Sequence, residues 1–300
     1  MIARASKIVP LPAPPAGASL DPGASFAYCE AVAAAHHENF PVGSLFLPSE
    51  LRPHMAALYA FARFADNFAD DPAYEGRREE ELDRWEEQLD RCFQDRADHP
   101  VFVALGETVR RFDLPYVPFA DMLQAFRMDL QIRRYATFGD LMAYVERAAR
   151  PIGRLILYVL GAHDPERLRY GDELATALAL TSFWQDTRRD LERDRVYVPQ
   201  EDLRHFGVTE ADLAAQRHSP AMSALFRFEV ARTRAIYERA RPLLALTPRI
   251  FAVELALFWH GGRRALDKVE RRAHKMFGPR AKLSGVDKAV VVARALAHWR

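Results

Sequence analysis

From about Ser25 onward, apolar residues recur at helical spacing, and the interruptions fall at prolines. Stretches rich in Ala, Leu, Arg and Glu, all strong helix formers, are separated by breaks. These fall at Pro41 to Pro48, Asp71-Pro72, His99-Pro100, Leu114 to Pro118, Gly161 to Pro165, Val198-Pro199, His218 to Pro220, Thr247-Pro248 and Gly278-Pro279. Helices usually stop before proline, so the intervals predict about eight to ten helices. Alternating β-branched runs with Asn-Gly or Asp-Gly turns are missing. No break is long enough for an interdomain linker, so residues 24–300 are expected to form one all-α domain. Residues 1–23 hold Pro10, Pro12, Pro14, Pro15 and Pro22 among Ala and Ser. They lack the apolar core of a signal peptide and read as a flexible extended tail.

Two segments depart from the surface-helix pattern. In His54 to Asp71, Leu58, Tyr59, Phe61, Phe64 and Phe68 lie around most of the helix circumference, which predicts burial on nearly all sides. The same segment carries Arg63, Asp66, Asp70 and Asp71. Leu174 to Asp190 is nearly all apolar through Trp184 and then turns acidic at Asp186 and Asp190. By contrast, Arg77 to Arg96 alternates charge signs and is expected to present a solvated face.

Composition narrows the function classes. Of the 300 residues, 49 % are apolar or aromatic, enough for a real core and too many for a disordered chain. The formal net charge of +1 shows none of the basic excess of a nucleic-acid binder. Cys29 and Cys92 form no close motif; they fit a reducing cytoplasm rather than a disulfide framework. No run reaches the length of a membrane span. The ten histidines are scattered, with no H-E-x-x-H, and no G-x-S-x-G or G-x-G-x-x-G site is indicated.

The acidic pairs carry the chemistry. Asp66 and Asp70 are four apart, as are Asp186 and Asp190, so each pair projects from one helix face. Such pairs repel, at a cost of a few tenths of a kcal/mol even in water. Near a core the cost grows unless a cation compensates. One pair alone reads as a solvated face or a helix cap. Two pairs, both ending apolar helices, point to hard divalent cations. Magnesium uses one or two carboxylates together with waters and substrate phosphates. Arg63 and Tyr59 lie on the face of Asp66; Arg63 either neutralises a carboxylate or binds phosphate.

The stretch LRPHMAALYAFARFADNFAD, followed by Asp186, Asp190 and DLERDRVYVPQEDL, resembles the squalene/phytoene synthase family. The likeness runs from about Ser25 to Lys288. It implies the all-α isoprenoid synthase fold, a helical bundle around a central cavity with the acidic motifs facing each other at its mouth. ENFPVGSLFLP, ARPIGRLIL, SFWQD and HGGRRALDKVE are most similar to the bacterial hydroxysqualene synthase branch. That branch acts in squalene and hopanoid biosynthesis. It ionises presqualene diphosphate with Mg²⁺ and lets water quench the cation, giving hydroxysqualene and diphosphate. The resemblance also leaves the family's transferases as alternatives: squalene, dehydrosqualene or phytoene synthases, which condense two prenyl diphosphates. It implies a pathway partner that forms presqualene diphosphate.

Residue by residue, the resemblance implies Asp66, Asp70, Asp186 and Asp190 as metal ligands. Ser182 stands where the family has Asn, four residues before the second motif. Tyr59, Arg63, Tyr144 and Tyr197 match catalytic positions. His36, Phe40, Arg195 and Arg280 match substrate-binding positions. Asn67 replaces the Asp that usually follows the first motif's leading Asp. Gly262 falls near a usual cavity tyrosine, and the expectation is a gap that enlarges or wets the cavity. Phe26, Phe40, Phe64, Phe126, Trp184 and Trp259 are candidates for an aromatic wall, with ordinary core packing as the other reading. Retention of all four aspartates argues against a purely non-catalytic scaffold. The stretch from Arg263 to Arg300 holds eleven Lys and Arg against Asp267, Glu270 and Asp287. It reads either as a packing helix with a basic solvent face or as a peripheral contact with the inner face of the membrane.

Overall fold

Helix starts are set by prolines and short polar side chains. Asp164 caps a helix through the Arg167 amide, with Pro165 in the first turn. Thr137, Thr209 and Ser284 each close a capping box with an Asp three residues on. The computed structural model describes residues 21–35, 47–278, 280 and 282–297. In chain order its helices are α1 (Pro22–Ala35), α2 (Arg52–Asp70), α3 (Arg78–Phe93), α4 (Pro100–Phe112) and α5 (Val117–Gln131). Then come α6 (Phe138–Ala148), α7 (Arg150–Val159), α8 (Pro165–Leu191), α9 (Gln200–His205) and α10 (Glu210–Ala214). The last four are α11 (Pro220–Ala240), α12 (Pro242–Leu246), α13 (Arg249–Arg271) and α14 (Gly285–Leu296).

The all-α expectation holds: among the described residues no strand forms, only an isolated bridge between Arg134 and Val196. The helices outnumber the expectation because α9, α10 and α12 have six, five and five residues, too short to leave a hydrophobic period, and because only Ala149 parts α6 from α7. Of the expected tail, residues 1–20 lie outside the described residues; Pro22 and Gly23 already belong to α1. The chain divides into two compact units, Met1–Leu130 with Pro151–His163 and Gln131–Arg150 with Asp164–Arg300. It passes between them three times, so neither unit is a continuous segment.

In the first unit, α2 is buried on every side from His54 to Ala69, as its pattern predicts. Helices α1, α3 and α4 pack on it. Phe61 sits edge-on to Phe102 and Phe119, and Phe64 stacks on Trp85 at 4.8 Å. The Trp85 indole donates to the Phe61 carbonyl at 3.2 Å, which satisfies the one polar atom of that cluster. His54 and Thr108 share a buried 2.9 Å hydrogen bond, and burial pulls the His54 pKa down to about 4. Helix α3 carries the expected solvated face, with an Arg84–Glu80 pair at 2.6 Å. Arg127 of α5 reaches it through Asp83 and Glu86, both at 2.7 Å.

In the second unit, α8 is central, with α6, α11, α12 and α13 packed on it. Trp184, fully buried, donates to Thr233 Oγ1 of α11 at 2.8 Å. Trp259 of α13 donates to the Tyr237 carbonyl at 2.8 Å. These tethers lock α8, α11 and α13 in register. Phe64, Trp184 and Trp259 are therefore core residues of their units.

Candidate active site

In the first unit the candidate residues form a single stripe along α2. Tyr59, Arg63, Asp66 and Asp70 are spaced by four, three and four residues, roughly one per helical turn. Tyr59, Arg63 and Asp66 are buried, and Asp70 at the helix end is half-buried. Arg63 is 0 % exposed. Its Nη1 approaches Asp66 Oδ2 at 3.3 Å, and its Nε and Nη2 have no hydrogen-bond partner among the described residues. A guanidinium removed from water and held by one long contact costs several kcal/mol. A bound anion would satisfy the remaining donors. Both earlier readings of Arg63 are thus visible in its geometry: one edge faces a carboxylate, and two nitrogens are available to an acceptor.

In the second unit the stripe continues the same logic on α8. Ser182, Asp186 and Asp190 follow one another by four residues; Ser182 is half-buried and both aspartates are buried. Burial pushes the Asp186 carboxyl up, against the pull of Arg280 and Arg189. Arg280 Nε lies 2.9 Å from Asp186 Oδ1, and Arg189 Nη1 lies 3.2 Å from the same oxygen. The structure thus brings Arg280 to the second acidic pair.

The loop after α8 is tied down by its own turn and by the segment before α6. The Arg195 amide donates to the Asp190 carbonyl at 2.8 Å, and Asp194 takes a left-handed conformation at φ 55°. Val196 donates to the Arg133 carbonyl at 2.9 Å, and Arg134 pairs with Asp194 and Glu210. Arg195 and Tyr197 are held buried as a result. The Tyr197 ring stacks on Phe183 at 4.0 Å and lies 6.0 Å from Tyr144 and 5.8 Å from Tyr135. This four-ring cluster joins α6, α8 and both flanking loops. A void of about 10 Å³, lined by Asp190, Arg195, Tyr197 and Phe183 among others, adjoins it. That is about the size that holds one water.

Tyr135, Phe183 and Arg189 were missed by sequence reasoning. Phe183 lies inside SFWQD, beside Ser182, and its neighbours were the available signal. Tyr135 sits in an irregular segment whose spacing gives none. Gly262 requires a correction: no gap opens there. A Cβ at 262 would overlap the Tyr237 hydroxyl and come within 2.6 Å of Leu178 Cδ2. The space is filled by Tyr237, whose hydroxyl shares a 3.0 Å hydrogen bond with Thr181. His36 and Phe40 lie outside the described residues.

The family model for squalene/phytoene synthases matches residues 33–287. A phytoene synthase from Arthrospira platensis is 35 % identical over 272 residues, covering 86 % of this chain and 87 % of its own. The solved squalene synthase HpnC from Alicyclobacillus acidocaldarius is 37 % identical with a TM-score of 0.81, covering 87 % of this chain and 98 % of its own. A dehydrosqualene synthase solved with a ligand shares the fold at a TM-score of 0.84 and 24 % identity, covering 93 % of this chain and 99 % of its own. Its fold is therefore the isoprenoid synthase fold. The chain belongs to the squalene/phytoene synthase family, whose members process prenyl diphosphates.

Proposed function

We propose that this protein is a hydroxysqualene synthase, which converts presqualene diphosphate and water to hydroxysqualene and diphosphate. The observation that carries the diphosphate half of this reading is Arg63, buried beside Asp66 with two nitrogens lacking an acceptor among the described residues. The carbon–oxygen bond breaks with its electron pair leaving on the diphosphate, so fixed positive charge at that oxygen lowers the barrier. Arg63 supplies such charge, and the resemblance assigns diphosphate-binding roles to Arg195 and Arg280 as well. Tyr59 orients the departing group.

Each acidic pair also fits a hard divalent cation. Asp66, Asp70, Ser182, Asp186 and Asp190 offer only oxygens, in buried or half-buried positions. Among the described residues no three His, Cys, Asp or Glu side chains come together as a metal-binding group, so each carboxylate pair would rely on phosphate and water to complete the coordination. Carboxylate pairs completed by phosphate and water match magnesium's habit. When bound, Mg²⁺ would act as a Lewis acid on the diphosphate oxygens. Ser182 is a weaker ligand than a carboxylate, so we assign it a supporting role.

The cationic carbon skeleton needs a wall that stabilises charge without reacting. The rings of Tyr197, Phe183, Tyr144 and Tyr135 offer faces worth about 0.5–2 kcal/mol each. Water then adds to the cation and loses a proton. The void beside Asp190, Arg195 and Tyr197 supports a positioned water, and the hydroxysqualene-branch segments support this outcome over reduction. The substrate implies a partner enzyme that makes presqualene diphosphate. His36 and Phe40 retain substrate-binding roles on the strength of the resemblance.

Relatives named phytoene synthase favour a second reading, condensation of two prenyl diphosphates. Purified protein with Mg²⁺ and no NADPH would be given presqualene, farnesyl or geranylgeranyl diphosphate separately. Hydroxysqualene from presqualene diphosphate alone is the expected product. Phytoene from geranylgeranyl diphosphate, or dehydrosqualene from farnesyl diphosphate, would establish the second reading instead.

A further inference from the structure

Helix α14 has two unlike faces. Asp287, Val291 and Ala295 turn inward and are buried. Asp287 anchors the helix, accepting from Arg264 at 2.7 Å and from the Ser284 hydroxyl at 2.6 Å, with Lys268 as a third partner. The opposite face carries Val286, Ala289, Ala293, Leu296 and Ala297, all exposed, with Val290 and Val292 half-buried at its margins. At ~100° per residue these seven side chains span roughly 160° of the helix surface without a polar residue. Val286 is 73 % and Leu296 41 % exposed, two of the five large hydrophobic residues exposed among the described residues.

Cations border this face. Lys288 lies at one edge and Arg294 at the other, both exposed. On the Arg294 side, Arg241, Arg263, Arg264, Trp259 and Arg294 help to line a groove of about 310 Å³, whose one carboxylate, Asp267, pairs with Arg234 at 2.9 Å. Arg263 pairs with Glu238 at 2.7 Å and lies over the Trp259 ring at 4.5 Å. Arg264 is committed to Asp287. Among the described residues, Arg241 and Arg294 make no ion pair. An apolar helix face of this width, flanked by cations and beside an arginine-lined groove, is complementary to one surface in particular. Acyl chains meet the apolar face, and anionic headgroups meet the cations.

We propose that α14 and the adjoining arginine groove dock this protein on an anionic lipid bilayer, with the α14 apolar face at the headgroup–acyl boundary and a headgroup phosphate in the groove. The proposal does not depend on which prenyl diphosphate the enzyme uses. The test is co-sedimentation of the full chain with vesicles of phosphatidylcholine alone and of an equal mixture with phosphatidylglycerol, at rising salt. Binding is expected to the mixed vesicles only, weakening with salt. Arg241→Gln and Arg294→Gln should each lower the partition coefficient about fivefold. Val286→Asp with Leu296→Gln should abolish binding while leaving the thermal melt unchanged, because both sites are exposed. Three results would overturn the proposal. One is no binding to the mixed vesicles. Another is equal binding by the wild type and all variants. The third is a concentration-dependent dimer that Leu296→Gln disperses, which would assign the face to a second copy of the chain.

Discussion

Replacing Gly262 with alanine probes the tightest packing in the second unit. The added Cβ would overlap the Tyr237 hydroxyl and approach Leu178 Cδ2 at 2.6 Å and Tyr237 Cζ at 2.9 Å. Tyr237 cannot swing aside cheaply. It is fully buried, its hydroxyl is bonded to Thr181 at 3.0 Å, and its carbonyl accepts the Trp259 indole at 2.8 Å. Overpacking costs about 1–3 kcal/mol, and a lost tyrosine hydrogen bond adds about 1 kcal/mol. The helical preference of Ala over Gly returns roughly 0.5–1 kcal/mol. The net expectation is a loss of about 1–3 kcal/mol, read as a lower urea midpoint with an unchanged slope. Adding Tyr237→Phe removes the hydroxyl that the new methyl meets. The double variant should therefore be more stable than the two single losses sum to, by about 1 kcal/mol. If Gly262→Ala matched or exceeded the wild type, or if the cycle showed no coupling, the packing argument for this glycine would be refuted.

Two further expectations concern buried charge. Arg63→Met keeps the length of the side chain but removes the guanidinium, and should lower the rate of diphosphate release on the order of 10²–10³-fold; a rate within a few fold of wild type would contradict its assignment. Glu229 is buried beside Asp202, which already binds Arg232 at 2.9 and 3.0 Å, and burial raises its pKa to about 8 from an ordinary 4.5. The folded state therefore holds a proton that the unfolded state releases, and stability should fall as pH rises from about 4.5 to about 8. Glu229→Gln should remove that slope and raise the melting temperature at pH 8 relative to wild type, with the difference vanishing at acid pH; a parallel pH profile for both proteins would show the carboxyl to be ionised.

Much of this architecture was legible in side-chain pattern. The apolar residues around most of the circumference of His54 to Asp71 predicted a buried α2, because such a helix has no wide face to give to water. The same segment's charged residues stood out because burial makes each of them expensive. The acidic pairs and Arg63 were readable from spacing alone, since residues four apart share a helix face whatever surrounds them. Long-range packing was not. Arg280 lies ninety-four positions from Asp186 in the chain, yet its Nε stands 2.9 Å from that carboxylate. Tyr135 joins the ring cluster from an irregular segment held by backbone bonds to Val196 and Gln200. Gly262 misled because an absent side chain suggests empty space, whereas here a tyrosine from α11 occupies it. The two-unit organisation left no linker signature because the chain passes between the units three times.

The most direct measurement for the central claim is the rate of diphosphate release from presqualene diphosphate as Mg²⁺ is titrated, for the wild type and for Asp66→Asn, Asp70→Asn, Asp186→Asn and Asp190→Asn. Mg²⁺-dependent release with hydroxysqualene formed in equal amount is expected, and a rate reduced by roughly 10²-fold or more in each variant. Release that is independent of Mg²⁺, or that survives all four substitutions, would contradict it.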